Sequence, residues 1–75
     1  SIRYDIAVQG ISRINIYDVL GRNIKTLINS YQSPGKYVIQ WNGKDKNGFK
    51  VSAGVYFYQL NTASFTKTNK MILLK

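Results

Sequence analysis

The chain contains no cysteine, no histidine and no glutamate, and its only carboxylate side chains are Asp5, Asp18 and Asp45. Without cysteine there is neither a disulfide framework nor a thiolate metal site. General acid–base catalysis draws mostly on histidine and on paired carboxylates. That equipment is nearly missing, so the sequence reads as a non-enzyme and no catalytic residue, metal ligand or cofactor is assigned. Long apolar runs are absent too, and nothing approaches the roughly 18 residues that a membrane-spanning helix needs. No signal-peptide pattern opens the sequence. It starts directly on a strand-like segment and reads as a piece of a longer polypeptide. Proline occurs once, at Pro34, where no central strand would tolerate it.

What is present is positive charge, aromatic residues and turn chemistry. Eleven Lys and Arg against three Asp give 75 residues a net charge of +8. Such a balance raises nucleic acid, anionic lipid and acidic polysaccharide as partners. The cations are scattered, however, and only Lys44, Lys46 and Lys50 cluster, inside a turn. Single charges spread along strands serve as solvated outer faces and as edge protection. The scatter therefore argues against nucleic acid. A chain of this length makes one small domain, burying about 60% of its unfolded surface.

The stretch that organises the rest is Trp41 to Tyr58, WNGKDKNGFKVSAGVYFY. Asn42-Gly43 and Asn47-Gly48 are dipeptides that accept positive φ. Val55-Tyr56-Phe57-Tyr58 is β-branched and aromatic, with high strand preference. Strand, double turn, strand is the reading, with Trp41 as a large apolar anchor.

Elsewhere, Ile2, Tyr4, Ile6 and Val8 alternate with Arg3, Asp5 and Ala7, the period of a half-buried strand. Ser12–Val19 places Ile14 and Ile16 on one face and Asn15 and Tyr17 on the other. Gly21 then supplies the positive φ of a hairpin. Ile24, Leu27 and Ile28 break strict alternation, which predicts a strand with a bulge over Asn23–Asn29. Ser30–Gly35 reads as a loop, followed by alternation from Lys36 to Trp41. A short extended piece over Phe49–Val51 precedes Val55–Asn61, whose inner face is Tyr56, Tyr58 and Leu60. Phe65–Leu74 closes the domain as a terminal, edge-prone strand. About seven short strands with turns between them predict an all-β fold, an immunoglobulin-like antiparallel β-sandwich.

Asp45-Lys46-Asn47-Gly48 imitates the start of a calcium loop, but the later carboxylate ligand is absent, so it reads as a turn. Tyr17, Tyr31 and Phe57 are expected on outward faces, where they would pack across strands or stack on sugars or bases.

Ile16-Tyr17-Asp18-Val19-Leu20-Gly21-Arg22, followed by Ile24 and Leu27, resembles the IYDxxGRxVxxL segment of the type A C-terminal sorting domains of the bacterial type IX secretion system. The likeness continues through Pro34-Gly35-Lys36-Tyr37, Trp41-Asn42-Gly43-Lys44-Asp45, Asn47-Gly48 and Gly54-Val55-Tyr56-Phe57-Tyr58, and ends with Lys70-Met71-Ile72-Leu73-Leu74-Lys75. The Trp41–Tyr58 core also resembles the immunoglobulin-like domain of flagellar hook-capping proteins. Residues 1–75 would then be a single sorting-type domain at the carboxyl end of a larger exported protein.

The resemblance implies that the outer-membrane translocon and its associated sortase are partners, beside the parent cargo domain amino-terminal to this chain. The cargo would be secreted or attached to the cell surface after periplasmic transit. Recognition would rest on Lys70, Met71, Ile72, Leu73, Leu74 and Lys75, with Gly21, Arg22, Gly54 and Tyr56 matching internal motifs. Folding alone also accounts for those four: the glycines as turns, Tyr56 as core. The alternative is an accessory module at the end of a secreted enzyme, binding a glycan or an assembly partner.

Overall fold

The computed structural model describes residues 2–74, in which every regular element is a strand. In order these are β1 (Ile2–Ile6), β2 (Gly10–Tyr17), β3 (Asn23–Gln32), β4 (Gly35–Ile39), β5 (Gly54–Asn61) and β6 (Thr66–Leu73). They form two antiparallel sheets, β1-β4 and β3-β2-β5-β6, stacked as an immunoglobulin-like sandwich. The expected all-β class therefore holds.

Among the described residues there are six strands rather than about seven. Phe49–Val51 contributes a lone bridge between Lys44 and Lys50, because the Asp45–Phe49 turn folds the segment back on itself. Ser30–Gln32, expected in a loop, continues β3, since Ser30 and Tyr31 pair with Ser12 and Ile11 and Gln32 pairs with Gly10. Only Ser33 and Pro34 then separate β3 from β4. Val8 lies beyond β1 and is exposed, as Gly10 already begins β2.

Alternation places the core. Ile2, Tyr4 and Ile6 of β1 face Ile14 and Ile16 of β2 and Tyr56 and Leu60 of β5 across the sandwich. Ile14 and Ile16 are wholly buried, and each such side chain contributes roughly 1.5–3 kcal/mol relative to exposure. The core is thus centred on β2. Trp41 is half-buried at one end, its ring edge-on to Tyr56 at 5.1 Å and its Nε1–H donating to the Lys44 carbonyl at 2.9 Å.

The bulge read from Ile24, Leu27 and Ile28 is real. The β2–β3 register jumps from Ile14↔Ile28 to Asn15↔Thr26 and from Ile16↔Lys25 to Tyr17↔Asn23, leaving Leu27 and Ile24 as the extra residues. Each insertion restores an apolar side chain to the inner face, where all three isoleucine and leucine positions pack against the core.

Two loops share one construction. In Asp18-Val19-Leu20-Gly21-Arg22 the Asp18 Oδ1 accepts from the Leu20 and Arg22 amides, both at 2.9 Å. In Asp45-Lys46-Asn47-Gly48-Phe49 the Asp45 Oδ1 accepts from Asn47 and Phe49, at 2.9 and 3.0 Å. In both, the first residue's amide bonds the carbonyl of the fifth, and the glycine takes positive φ, +83° at Gly21 and +86° at Gly48. Asp45 is therefore a turn former, as its neighbours in sequence suggested.

Two tyrosines are fastened alike. Tyr37 donates its hydroxyl to the Ser33 carbonyl and Tyr56 to the Ser52 carbonyl, each at 2.6 Å. Both lie in a Ser-x-Gly-x-Tyr segment, and each ring has an aromatic neighbour, Tyr4 for Tyr37 and Trp41 for Tyr56. Tyr4 in turn donates to the Gln32 Oε1 at 3.0 Å inside the core.

Candidate recognition site

The terminal strand β6 pairs along its length with β5, in the register Gly54↔Leu73, Val55↔Ile72, Tyr56↔Met71 and Phe57↔Lys70. Its other side meets no strand among the described residues, so β6 is a sheet edge. The two-residue period divides its side chains. Met71 and Leu73 point inward and are partly buried against the core, and Leu73 methyl carbons sit beside Gly43. Lys70, Ile72 and Leu74 are exposed, Ile72 by 64% and Leu74 by 83%. Lys75 lies outside the described residues. Of the expected recognition segment, Ile72 and Leu74 are thus free to touch a partner, whereas Met71 and Leu73 anchor the strand.

The fold brings Arg22, Gly54 and Tyr56 to this same end. Asp18, Leu20, Arg22, Ile24, Gly54 and Tyr56 line an open depression of about 470 Å³. Gly21 lies in the adjacent turn, exposed and with open space where a side chain would begin. Gly54, expected as a turn, is instead the first residue of β5 and is paired with Leu73. Tyr56 is core, 6% exposed.

Arg22 Nε donates to Asp18 Oδ2 at 2.7 Å, a surface ion pair within the turn. Burial pushes the Asp18 carboxyl up. The bonds from the Arg22 amide, the Arg22 guanidinium and the Leu20 amide outweigh this, and the net direction is down from the ordinary value.

Among the described residues no group of His, Cys, Asp or Glu is placed to hold a metal, and the buried polar side chains are Ser12 and Gln32. Tyr17, Tyr31 and Phe57 lie on the outer face of the four-stranded sheet as expected, with Tyr17 and Phe57 directly opposed across β2 and β5. The Asp18 and Asp45 loops and the two Ser-x-Gly-x-Tyr fastenings escaped the sequence reading as pairs, although both repeat a fixed spacing.

The architecture and this surface define an immunoglobulin-like domain that presents an edge strand. The family model of the FlgD Ig-like domain matches residues 5–65, and the chain belongs to that family. No match was found among curated proteins or among solved structures.

Proposed function

We propose that this domain is a non-catalytic sorting module, bound by the type IX outer-membrane translocon so that cargo attached amino-terminal to it is exported or fixed at the cell surface. The observation that carries this reading is the edge position of β6 with Ile72 and Leu74 exposed beside Lys70. Apolar side chains on an unpaired strand edge are a liability unless a partner covers them. The likeness of the Ile16–Leu27 and Lys70–Lys75 segments to type A sorting domains supports the translocon as that partner. Arg22 and the Asp18 turn lie at the same end and form the second contact.

The test is export of a periplasm-targeted fluorescent protein carrying residues 1–75 at its carboxyl end, in a bacterium with a type IX system. Reporter should reach the medium or the cell surface only with a working translocon. The Ile72→Asp/Leu74→Asp variant should stay folded and remain in the periplasm. Normal export of that variant would sink the terminal-strand mechanism.

The second reading, an accessory glycan module, draws on the outer face, where Tyr17 and Phe57 sit beside the Asn15–Gln59 pair. Retardation of the domain in gels containing polysaccharide, abolished by Phe57→Ala, would favour it.

A further inference from the structure

The two sheets are unequal, two strands against four, so the small sheet does not cover the whole inner face of the large one. On the β3 side the cover is supplied by the Asp45–Phe49 loop, whose Lys46 amide donates to the Ile24 carbonyl at 2.9 Å. On the opposite side nothing equivalent occurs among the described residues. There β1 and β6 each have one strand partner, and their unpaired edges flank a seam. The upper part of the seam, about 390 Å³, is lined by Arg3, Tyr4 and Asp5 of β1 and by Tyr58, Leu60 and Lys67 from the large sheet. The lower part, about 310 Å³, lies between Ile2, Trp41, Tyr58, Met71, Ile72 and Leu73. The floor is apolar and aromatic, and one lip is strand backbone without a second neighbour.

We propose that this seam takes an extended acidic peptide, which adds to the free edge of β1 as a third strand of the small sheet. Strand addition uses main-chain hydrogen bonds for affinity and alternate side chains for specificity. Alternate apolar side chains of the peptide fill the trough over Tyr58, Met71 and Leu73, and its carboxylates face outward.

Charge selects the occupant. Arg3 and Lys67 line the seam against the single carboxylate of Asp5, and Lys50 lies with Leu73 and Leu74 around the depression below. A second copy of this chain, itself at +8, is repelled from that rim, whereas an acidic strand is drawn to it. The lysines thereby guard the edge against its own kind while leaving it open to a partner of opposite charge. This inference goes beyond the sorting reading and does not depend on it, because it concerns strand addition at the free edge of β1, although the trough also touches Ile72 of β6.

The experiment is an amide-shift titration of the isotope-labelled domain with a short acetylated peptide of alternating valine and glutamate. Shifts should concentrate on Ile2–Ile6 and on Asn69–Leu73. Arg3→Gln/Lys67→Gln, both exposed positions, should weaken binding roughly tenfold and reduce its dependence on salt. A peptide N-methylated on the edge-facing amides should not bind.

The proposal is overturned by an absence of shifts at millimolar peptide, or by shifts confined to β3 or to the outer sheet face. Equal binding of a valine–lysine peptide or of the N-methylated one would overturn it too. Dimerisation of the free domain through β1, seen by sedimentation, would replace the acidic peptide with a second copy. Export assays read none of these outcomes, so this proposal and the sorting reading can fail separately.

Discussion

The segment around Tyr56 resembles a motif of the type A sorting domains, yet its surroundings assign Tyr56 to the core, and a pair of substitutions separates the two roles. Tyr56→Phe removes the hydroxyl that donates to the Ser52 carbonyl at 2.6 Å and leaves the ring against Trp41. Ser52 is exposed, so its carbonyl regains water and no buried acceptor is stranded. The loss is then the net value of one neutral hydrogen bond, about 1 kcal/mol. Tyr56→Ala also removes a ring that is 6% exposed, which costs about 3–5 kcal/mol for an aromatic of this size. A domain of 75 residues has roughly 4–11 kcal/mol of stability in total, so the alanine variant loses a large share of it.

Urea denaturation followed by the fluorescence of Trp41, which touches Tyr56, reads both. With a slope of about 1 kcal/mol per molar for a domain this small, Tyr56→Phe should lower the midpoint by about 1 M. Tyr56→Ala should lower it by about 3–5 M, or leave no folded baseline if the wild-type midpoint is below that. An unmoved midpoint in Tyr56→Phe would refute the energetic role of the fastening. A normally folded Tyr56→Phe domain that no longer directs export would refute the assignment of Tyr56 to structure, since the hydroxyl would then be read by the translocon.

Further outcomes follow from the turns, the terminal strand and the charge balance. Gly48→Ala should cost about 1–2 kcal/mol by thermal denaturation, from left-handed strain alone, because nothing lies within 4 Å of the added carbon. Gly48→Asn should recover part of that loss. The Asp18 carboxyl, held below its ordinary value, stabilises the fold fully above the unfolded value of about pH 3.9 and loses that effect as pH falls through the folded value. Asp18→Asn should accordingly flatten the acid limb of a stability-against-pH curve. Leu74→Asp should change stability by less than about 0.5 kcal/mol, whereas Leu73→Asp, which puts a carboxylate against the core, should cost at least about 2 kcal/mol. Added salt should raise the melting temperature, since the chain carries +8 and Asp18–Arg22 is the one ion pair among its described residues.

The inner faces were legible because the two-residue period is strict in β1, β2, β4 and β5. Ile14 and Ile16, or Tyr56 and Leu60, follow from alternation alone. The bulge in β3 was legible as well, because Ile24, Leu27 and Ile28 can face one side only if residues are inserted. The end of β3 was not, since Ser30, Tyr31 and Gln32 look like loop residues until Ser12, Ile11 and Gly10 are seen to pair with them. Phe49–Val51 misled because apolar composition suggests a strand, whereas the Asp45 carboxylate had already committed the backbone to a turn. The end strand could be singled out from its apolar run, but the division into Met71 and Leu73 inward and Ile72 and Leu74 outward needed the register with β5. The seam could not be read at all. It arises from the inequality of the two sheets, which local sequence does not encode.

The two tyrosine fastenings lie at opposite ends of the sandwich. Tyr37 sits with Tyr4 and Gln32 where β3 turns into β4, and Tyr56 sits with Trp41 where β5 begins. Both ends of the long axis are therefore locked by an aromatic pair and a phenol–carbonyl bond. The weakest direction lies across the molecule, where β1 and β6 share no hydrogen-bonded ladder. Native-state breathing should then proceed as a sideways parting of the sheets along that flank, with amide protons of β1 and β6 exchanging before those at either end. Any partner that grips this domain would meet a body stiff along its axis and compliant on one side.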